Sequence, residues 1–246
     1  MLPAKKPALF VNRLLATLPT KDYQQVLANC ESVELHLAEV INEPGERIRH
    51  VYFPTDSFVS LVTPPDEYAG LEVGLVGDEG MIGTPLLLGV EVTLLRTFVQ
   101  GAGSAWCMTS ERFYDALRQS SALQATLNRY LYVLMGQLGQ MVACTRFHVV
   151  EARLARWLLM TQDRAHSDHF HVTHEFLAFM LGVRRVGVTK AASALQQHKL
   201  IRYSRGDITV LDRAGLEAAT CGCYGAAEAL YDRILRAPKG YNTSPG

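Results

Sequence analysis

A series of short segments with strand-like patterns, between about residues 30 and 110, constrains the fold of this chain most. Apolar and polar residues alternate over residues 32–37, as they do in a strand that buries one face. Comparable segments lie at 51–53, 58–62, 71–76, 94–99 and 105–108, with glycine-rich turns such as 77–80 and 101–103 among them. Many short strands joined by turns predict a small β-sandwich or barrel.

From about residue 120 the pattern becomes helical, with apolar residues at spacings of four, three, four and three: Leu127, Leu131, Leu134, Leu138 and Met141. This heptad pattern predicts a parallel homodimer in which two copies of the helix pair. Gly136 and Gly139 weaken an isolated helix by about 1 kcal/mol each, and the close approach of a partner backbone would explain them. The alternative is a helix that packs on its own β-domain.

A helix-turn-helix pattern follows between residues 173 and 198. Thr173 is suited to cap a first helix that ends near Gly182, and a second helix from about Arg184 to His198 would bury Val188 and Leu195. Residues 200–203 and 207–210 flank a short turn and predict a β-hairpin wing. In such a unit the second helix enters the major groove of DNA.

The charge distribution supports this interpretation. The chain has 24 basic and 24 acidic residues, which excludes a protein that is basic throughout. Residues 184–205, however, contain six Lys or Arg and no Asp or Glu, as a local phosphate-binding face requires. The predicted DNA contacts are Thr173, Arg184, Arg185, Val186, Thr189, Lys190 and Arg205. A solvated helix face is the alternative.

Within this set, Arg185 is expected to read a base, because Arg pairs bidentately with guanine. Thr189 and Lys190 are expected to contact bases or phosphates. Arg205, at the tip of the wing, is expected to contact the DNA backbone.

Other functional classes have little support in the sequence. There is no membrane-span pattern and no signal-peptide pattern, so we expect a cytoplasmic protein. The five scattered cysteines suggest reduced thiols. Cys221 and Cys223 lack a second pair for a metal site, so no metal is predicted. The histidines between 166 and 174 are expected to be solvated in and beside a loop. No catalytic grouping is present, and we predict that the protein is not an enzyme.

The order of these parts resembles the Crp/Fnr family of bacterial transcription regulators. Residues 52–61, Gly80-Met81-Ile82-Gly83 and above all residues 173–185 carry the resemblance. It implies an α+β protein with a jelly-roll-like β-roll sensor domain at 1–118, a dimerisation helix at 119–149, a winged helix-turn-helix domain at 150–236 and a disordered tail at 237–246. The implied partners are a second copy, a two-fold symmetric double-stranded DNA site and, for an activator, RNA polymerase.

The departures from the family concern the effector and the base contacts. The candidate effector pocket comprises Gly80, Met81, Ile82, Gly83, Arg96 and Thr97. Members that bind cyclic AMP carry a Glu between the two glycines, where this chain has Met81 and Ile82. Arg96 and Thr97 imitate the phosphate-binding pair only if the loop at 86–93 is longer than usual. Cyclic AMP is therefore not expected to bind, and no cofactor is predicted.

Two further departures concern the cysteines of the family's iron-sulfur sensors and a base-reading residue of the recognition helix. Cys30 is the only cysteine before the β-roll, whereas the iron-sulfur sensors of the family need a cluster. Val186 occupies the place of a base-reading Glu, and we expect it to contact a thymine methyl.

The sequence thus predicts a homodimeric, sequence-specific DNA-binding transcription regulator. The alternative is a small-molecule-binding module that controls a protein partner without binding DNA.

Overall fold

The computed structural model describes residues 11–64 and 70–236. The predicted disordered tail at 237–246 lies outside the described residues. A β-sandwich occupies the N-terminal part and a helix-turn-helix unit follows the long helix, which confirms the predicted α+β fold class.

The N-terminal part begins with a 3-10 turn at Leu15–Thr17 and the helix α1 at Thr20–Ala28. Seven strands follow: β1 Glu31–Leu35, β2 Val40–Asn42, β3 His50–Pro54, β4 Phe58–Val62, β5 Glu72–Val76, β6 Arg96–Gly101 and β7 Gly103–Thr109. They form two antiparallel sheets with the orders β1-β7-β3 and β2-β6-β4-β5. An apolar cluster that includes Leu35, Val59, Ile82 and Val99 joins strands of both sheets.

Two elements of this part were not predicted from the sequence. Strand β2 has only three residues, none of them buried, so its pattern is too short to recognise. The helix α2, Ser110–Gln119, lies between the last strand and the long helix. Its N-cap is Thr109, whose hydroxyl accepts a hydrogen bond from the Arg112 amide at 3.3 Å.

The long helix α3, Ser121–Phe147, has two environments along its length. Its first half buries Leu123, Leu127, Tyr130 and Val133 in a core shared with the N-terminal part. Leu127 is 0 % exposed, so the protomer itself covers this residue, which the sequence analysis assigned to the dimer interface. The second half leaves large apolar side chains in solvent: Met135, Leu138 and Val142 are 64 %, 44 % and 71 % exposed.

After a break at His148 and Val149, the chain forms α4 Val150–Ala165, β8 His169–His171, α5 His174–Leu181, α6 Arg185–Gln197, β9 Ile201–Ser204, β10 Asp207–Val210 and α7 Arg213–Ala219. The three strands make one sheet in the order β8-β10-β9. The loop expected around the histidines between 166 and 174 is therefore wrong in part, because His169–His171 pairs with β10. Exposed side chains on an edge strand give no sequence pattern to predict it.

The last helices return to the N-terminal part. Helix α8, Cys223–Tyr231, and a π-helical turn at Asp232–Arg236 pack on α3. The Tyr231 hydroxyl donates a hydrogen bond to the Glu79 carbonyl at 2.9 Å. A Cβ at Gly136 would clash with Leu230, so an intramolecular contact accounts for this glycine rather than the partner backbone suggested above. Packing thus joins the end of the predicted 150–236 domain to the N-terminal part.

Within the described residues, none of the helices combines the length and the apolar character needed to cross a membrane.

Candidate DNA-binding site

The turn between α5 and α6 is built by local hydrogen bonds and one glycine. The Thr173 hydroxyl caps α5 by accepting a hydrogen bond from the Phe176 amide at 3.1 Å. Gly182 ends α5 in the left-handed region, at φ 60°. Helix α6 begins at Arg185, and Arg184 occupies its N-cap position without a side-chain cap. The first turn of α6 therefore keeps backbone amide donors that no side chain caps and that an anion can use.

Helix α6 is held by one apolar face. Val188, Ala191, Ala192 and Leu195 are buried, as the sequence predicts, in a core that includes Leu158 of α4 and Leu177 of α5. This packing fixes the opposite face of α6 toward solvent.

All seven residues predicted to contact DNA are exposed: Thr173, Arg184, Arg185, Val186, Thr189, Lys190 and Arg205. Val186, the one apolar residue of this set, is 60 % exposed. Across the described part of the chain, no acidic side chain forms a salt bridge with any of the six cations at 184–205. Their positive charge is therefore available to phosphates.

The wing extends this surface. Residues Arg205 and Gly206 connect β9 to β10 with φ values of 53° and 94°, as in a type I′ hairpin turn. A side chain at Gly206 would meet the His171 ring. The turn places Arg205 at the tip of the hairpin, beyond the strand register Asp207–Ser204.

His174 supports α6, a role that was not predicted from the sequence. Its Nδ1 lies 3.1 Å from the Thr189 hydroxyl, and its ring stacks on Tyr203 of the wing with centroids 4.3 Å apart. The residue thus connects the start of α5, one turn of α6 and the wing. His174 and Thr189 are 15 positions apart in the sequence, so no local pattern predicts this contact.

The hydrogen bonds of Thr189 assign the protonation of this histidine. The Thr189 hydroxyl donates to the Arg185 carbonyl at 3.1 Å, so it accepts from His174, which places the proton on Nδ1. Burial lowers the pKa of His174, and the positive charge of Arg185 lowers it further. Both effects favour the neutral form of His174. His171 contacts the Asp207 carboxylate at 2.9 Å.

The candidate effector residues fall into two groups. Ile82 pairs with Tyr52 beside one sheet, and both Met81 and Ile82 are buried in apolar clusters. Arg96 and Thr97 begin β6 in the other sheet. Arg96 is partly exposed and pairs with Glu43 at 3.2 Å, so its charge already has a partner within the protein.

The loop between these two groups begins directly after Gly83. A 3-10 turn at Thr84–Leu88 comes first. The chain then pairs Val92 with Arg47. These contacts hold the loop against the sandwich.

Comparisons with known proteins agree with this architecture. A family model described as the Crp-like helix-turn-helix domain matches residues 152–219. No match was found among curated proteins.

Among solved structures, a crp/fnr-family protein from Eubacterium rectale is 17 % identical, with a TM-score of 0.67 over 84 % of this chain and 96 % of that one. A CRP/FNR-family transcriptional regulator from Thermus thermophilus is 22 % identical, with a TM-score of 0.64 over 77 % and 97 % of the two chains. The c-di-GMP responsive global regulator CLP of Xanthomonas campestris is 15 % identical, with a TM-score of 0.64 over 78 % and 99 %.

These identities are low enough that the solved structures establish the fold, while the family model establishes the nature of the C-terminal unit. The resemblance found in the sequence is confirmed to this extent: residues 152–219 match the Crp-like helix-turn-helix domain, and the chain, with its β-sandwich N-terminal part, has the fold of the solved Crp/Fnr regulators.

Proposed function

We propose that this chain is a cytoplasmic, homodimeric transcription regulator that binds a specific, two-fold symmetric DNA site and does not respond to cyclic AMP. The observation that carries the proposal is the surface of α6 and the wing. It exposes six cations without acidic partners among the described residues, on a unit matched to a DNA-binding family.

Within this surface, Arg185 is proposed to read a base and Arg205 to bind the backbone. Thr189 is proposed to contact a base or a phosphate. While its hydroxyl donates to the Arg185 carbonyl, its oxygen can accept a hydrogen bond from a base amino group.

The dimer interface is proposed along the second half of α3. Leu131, Met135, Leu138 and Val142 repeat at spacings of four, three and four. The last three are exposed and Leu131 is half-buried. Leu127 and Leu134 contact the core of their own protomer, and the Met141 sulfur accepts a hydrogen bond from Arg156 of the same protomer at 3.1 Å. Leu131 and Leu138 are therefore retained from the predicted seam, and Met135 and Val142 take the place of the other three. A parallel pair along this line would bury a row of large apolar side chains.

The candidate effector residues do not suit cyclic AMP. The buried Met81 and Ile82 and the paired Arg96 offer no free carboxylate for a ribose and no free cation for a cyclic phosphate. A similar fold in the regulator CLP serves a c-di-GMP response, which makes c-di-GMP a useful second probe. Any effector would act by shifting the population of DNA-competent dimers.

Selection of bound fragments from random double-stranded DNA by the full-length protein tests the proposal. We expect an inverted repeat with half-site centres about one helical turn apart, roughly 34 Å. The same site should be selected with or without cyclic AMP. Failure to enrich any sequence would overturn the DNA-binding proposal, and cyclic-AMP-dependent enrichment would overturn the effector proposal.

A further inference from the structure

Four metal-ligating side chains meet where α3, the α3–α4 break and α8 come together. They are Cys144, His148, Cys221 and Cys223, and their ligand atoms all lie within 4.8 Å of one another. The three cysteines are buried and His148 is half-buried.

Two of the six separations between these atoms are close to the edges of a tetrahedral metal site, and the others do not exceed 4.8 Å. The sulfurs of Cys144 and Cys221 are 3.6 Å apart, and Nδ1 of His148 lies 3.4 Å from the Cys223 sulfur. With Zn–S near 2.3 Å and Zn–N near 2.0–2.1 Å, the edges of a tetrahedron are about 3.8 Å for S···S and about 3.6 Å for S···N. Both observed distances are within a few tenths of an ångström of these edges.

Helical spacing and a tight turn produce this arrangement. Cys144 and His148 are four residues apart at the end of α3, so they lie on one face. Cys221 and Cys223 flank Gly222, the N-cap of α8. No metal was predicted from the sequence, because Cys221 and Cys223 have no second cysteine pair. The fold instead supplies the other two ligands from 73 residues or more upstream.

The surroundings suit the charge of such a site. One divalent zinc ion with three thiolates and a neutral histidine has a net charge of minus one. Arg153 and Arg156, both on α4 and 7 % exposed, interact electrostatically with the Cys144 sulfur. Among described residues neither has a salt-bridge partner, and the Arg156 Nε is buried without a hydrogen-bond partner. Gln140 donates a hydrogen bond to the Cys223 sulfur at 2.9 Å, as outer residues do for metal-bound thiolates.

We propose that Cys144, His148, Cys221 and Cys223 bind one Zn²⁺ ion per protomer, in a closed structural site that ties α8 to the junction of α3 and α4. Four protein ligands leave no open position for a substrate, which distinguishes this site from a catalytic one. The ion would link the last helix to the point where the chain passes from the long helix to the helix-turn-helix unit.

The test uses full-length protein without a histidine tag, purified anaerobically in reductant and without chelator. We expect close to one zinc per chain by mass spectrometry of the metal content. After zinc removal, added Co²⁺ should give the thiolate charge-transfer and d–d absorption bands of tetrahedral sulfur coordination. Loading with either ion should raise the thermal unfolding temperature, because binding favours the folded state.

Variants identify the ligands. Cys144→Ser and Cys223→Ser should lose most of the bound zinc, whereas Cys107→Ser, a buried cysteine of β7 outside the cluster, should keep it. His148→Ala is the milder variant if a cysteine variant fails to fold, because His148 is half-buried, and it should change the cobalt spectrum.

Three results would overturn the proposal. The wild-type protein could take up no Co²⁺ with thiolate bands, Cys107→Ser could lose as much zinc as Cys144→Ser, or the anaerobic protein could contain a Cys144–Cys221 disulfide. None of these measurements uses DNA, so their outcome is separate from that of the proposed function.

Discussion

Burial changes the protonation of single side chains in this molecule, as the carboxyl group of Glu72 shows. Its carboxyl group is 2 % exposed at the start of β5 and accepts a hydrogen bond from the Ser60 hydroxyl at 3.0 Å. Burial raises the pKa of Glu72 from 4.5 to about 7, although Ser60 and the nearby Arg156 and Arg164 oppose the shift. The folded protein therefore holds this proton more tightly than the unfolded chain does.

This shift predicts a pH dependence of stability. Between pH 4.5 and about 7 the folded state binds more protons, so the free energy of unfolding should fall as pH rises through this window. Glu72→Gln cannot ionise and should remove this part of the dependence. At pH 8 the variant should be more stable than wild type by up to about 2 to 3 kcal/mol.

Urea unfolding at pH 5 and pH 8 measures the effect. Glu31→Gln is the matched control, because the Glu31 side chain is 76 % exposed and should leave the wild-type slope unchanged. Equal pH slopes for wild type and Glu72→Gln would contradict the assigned burial cost.

At the same scale, the predicted DNA-contact residues could be chosen from the sequence because exposure and charge follow from helical periodicity. Val188 and Leu195 define the buried face of α6, so Arg185 and Lys190 are placed by elimination. His174 could not be assigned, because its contacts with Thr189 and Tyr203 depend on how α5, α6 and the wing pack together.

At the scale of elements, α3 shows why an apolar heptad is ambiguous. The same apolar spacing is expected for a helix that packs on its own protomer and for a helix that pairs with a second copy. Leu127 is enclosed by the N-terminal core, whereas Met135 and Val142, which the heptad assignment omitted, are exposed. The tertiary structure decides how far along α3 the sandwich covers the helix. Periodicity alone therefore could not show which apolar residues face the core of the protomer and which face solvent.

The exposed part of α3 yields a prediction about oligomeric state. Met135→Glu combined with Val142→Glu should convert the proposed dimer to a monomer, because a parallel pair would bury like charges opposite each other. Sedimentation at micromolar concentration measures the change. Leu94→Glu is the control, since Leu94 is 79 % exposed in the loop before β6 and should leave the mass unchanged. A dimer that survives the double substitution would place the interface elsewhere.

For the whole molecule, the sequence predicted the order of parts and most strands and helices. The strand at 58–62 and the helix-turn-helix were predicted nearly to the residue, because alternation, capping by Thr173 and the left-handed Gly182 are local signals. Two features needed the complete fold: the return of α8 onto α3, and the Cys144–His148–Cys221–Cys223 cluster that this return creates. Both depend on contacts between distant parts of the chain.

The central claim is that this molecule binds DNA through α6, and the affinity of Arg185→Ala for the selected site tests it most directly. Fluorescence anisotropy on wild type, Arg185→Ala and Arg118→Ala should be measured over a range of salt concentrations. Arg118 is the control, an arginine of α2 that is 71 % exposed and far in sequence from α6.

We expect wild-type affinity to fall steeply as salt rises. Arg185→Ala should lose about 1 to 3 kcal/mol of binding free energy and relax specificity at one base position, while Arg118→Ala should match wild type. Unchanged affinity and sequence preference in Arg185→Ala would contradict the claim.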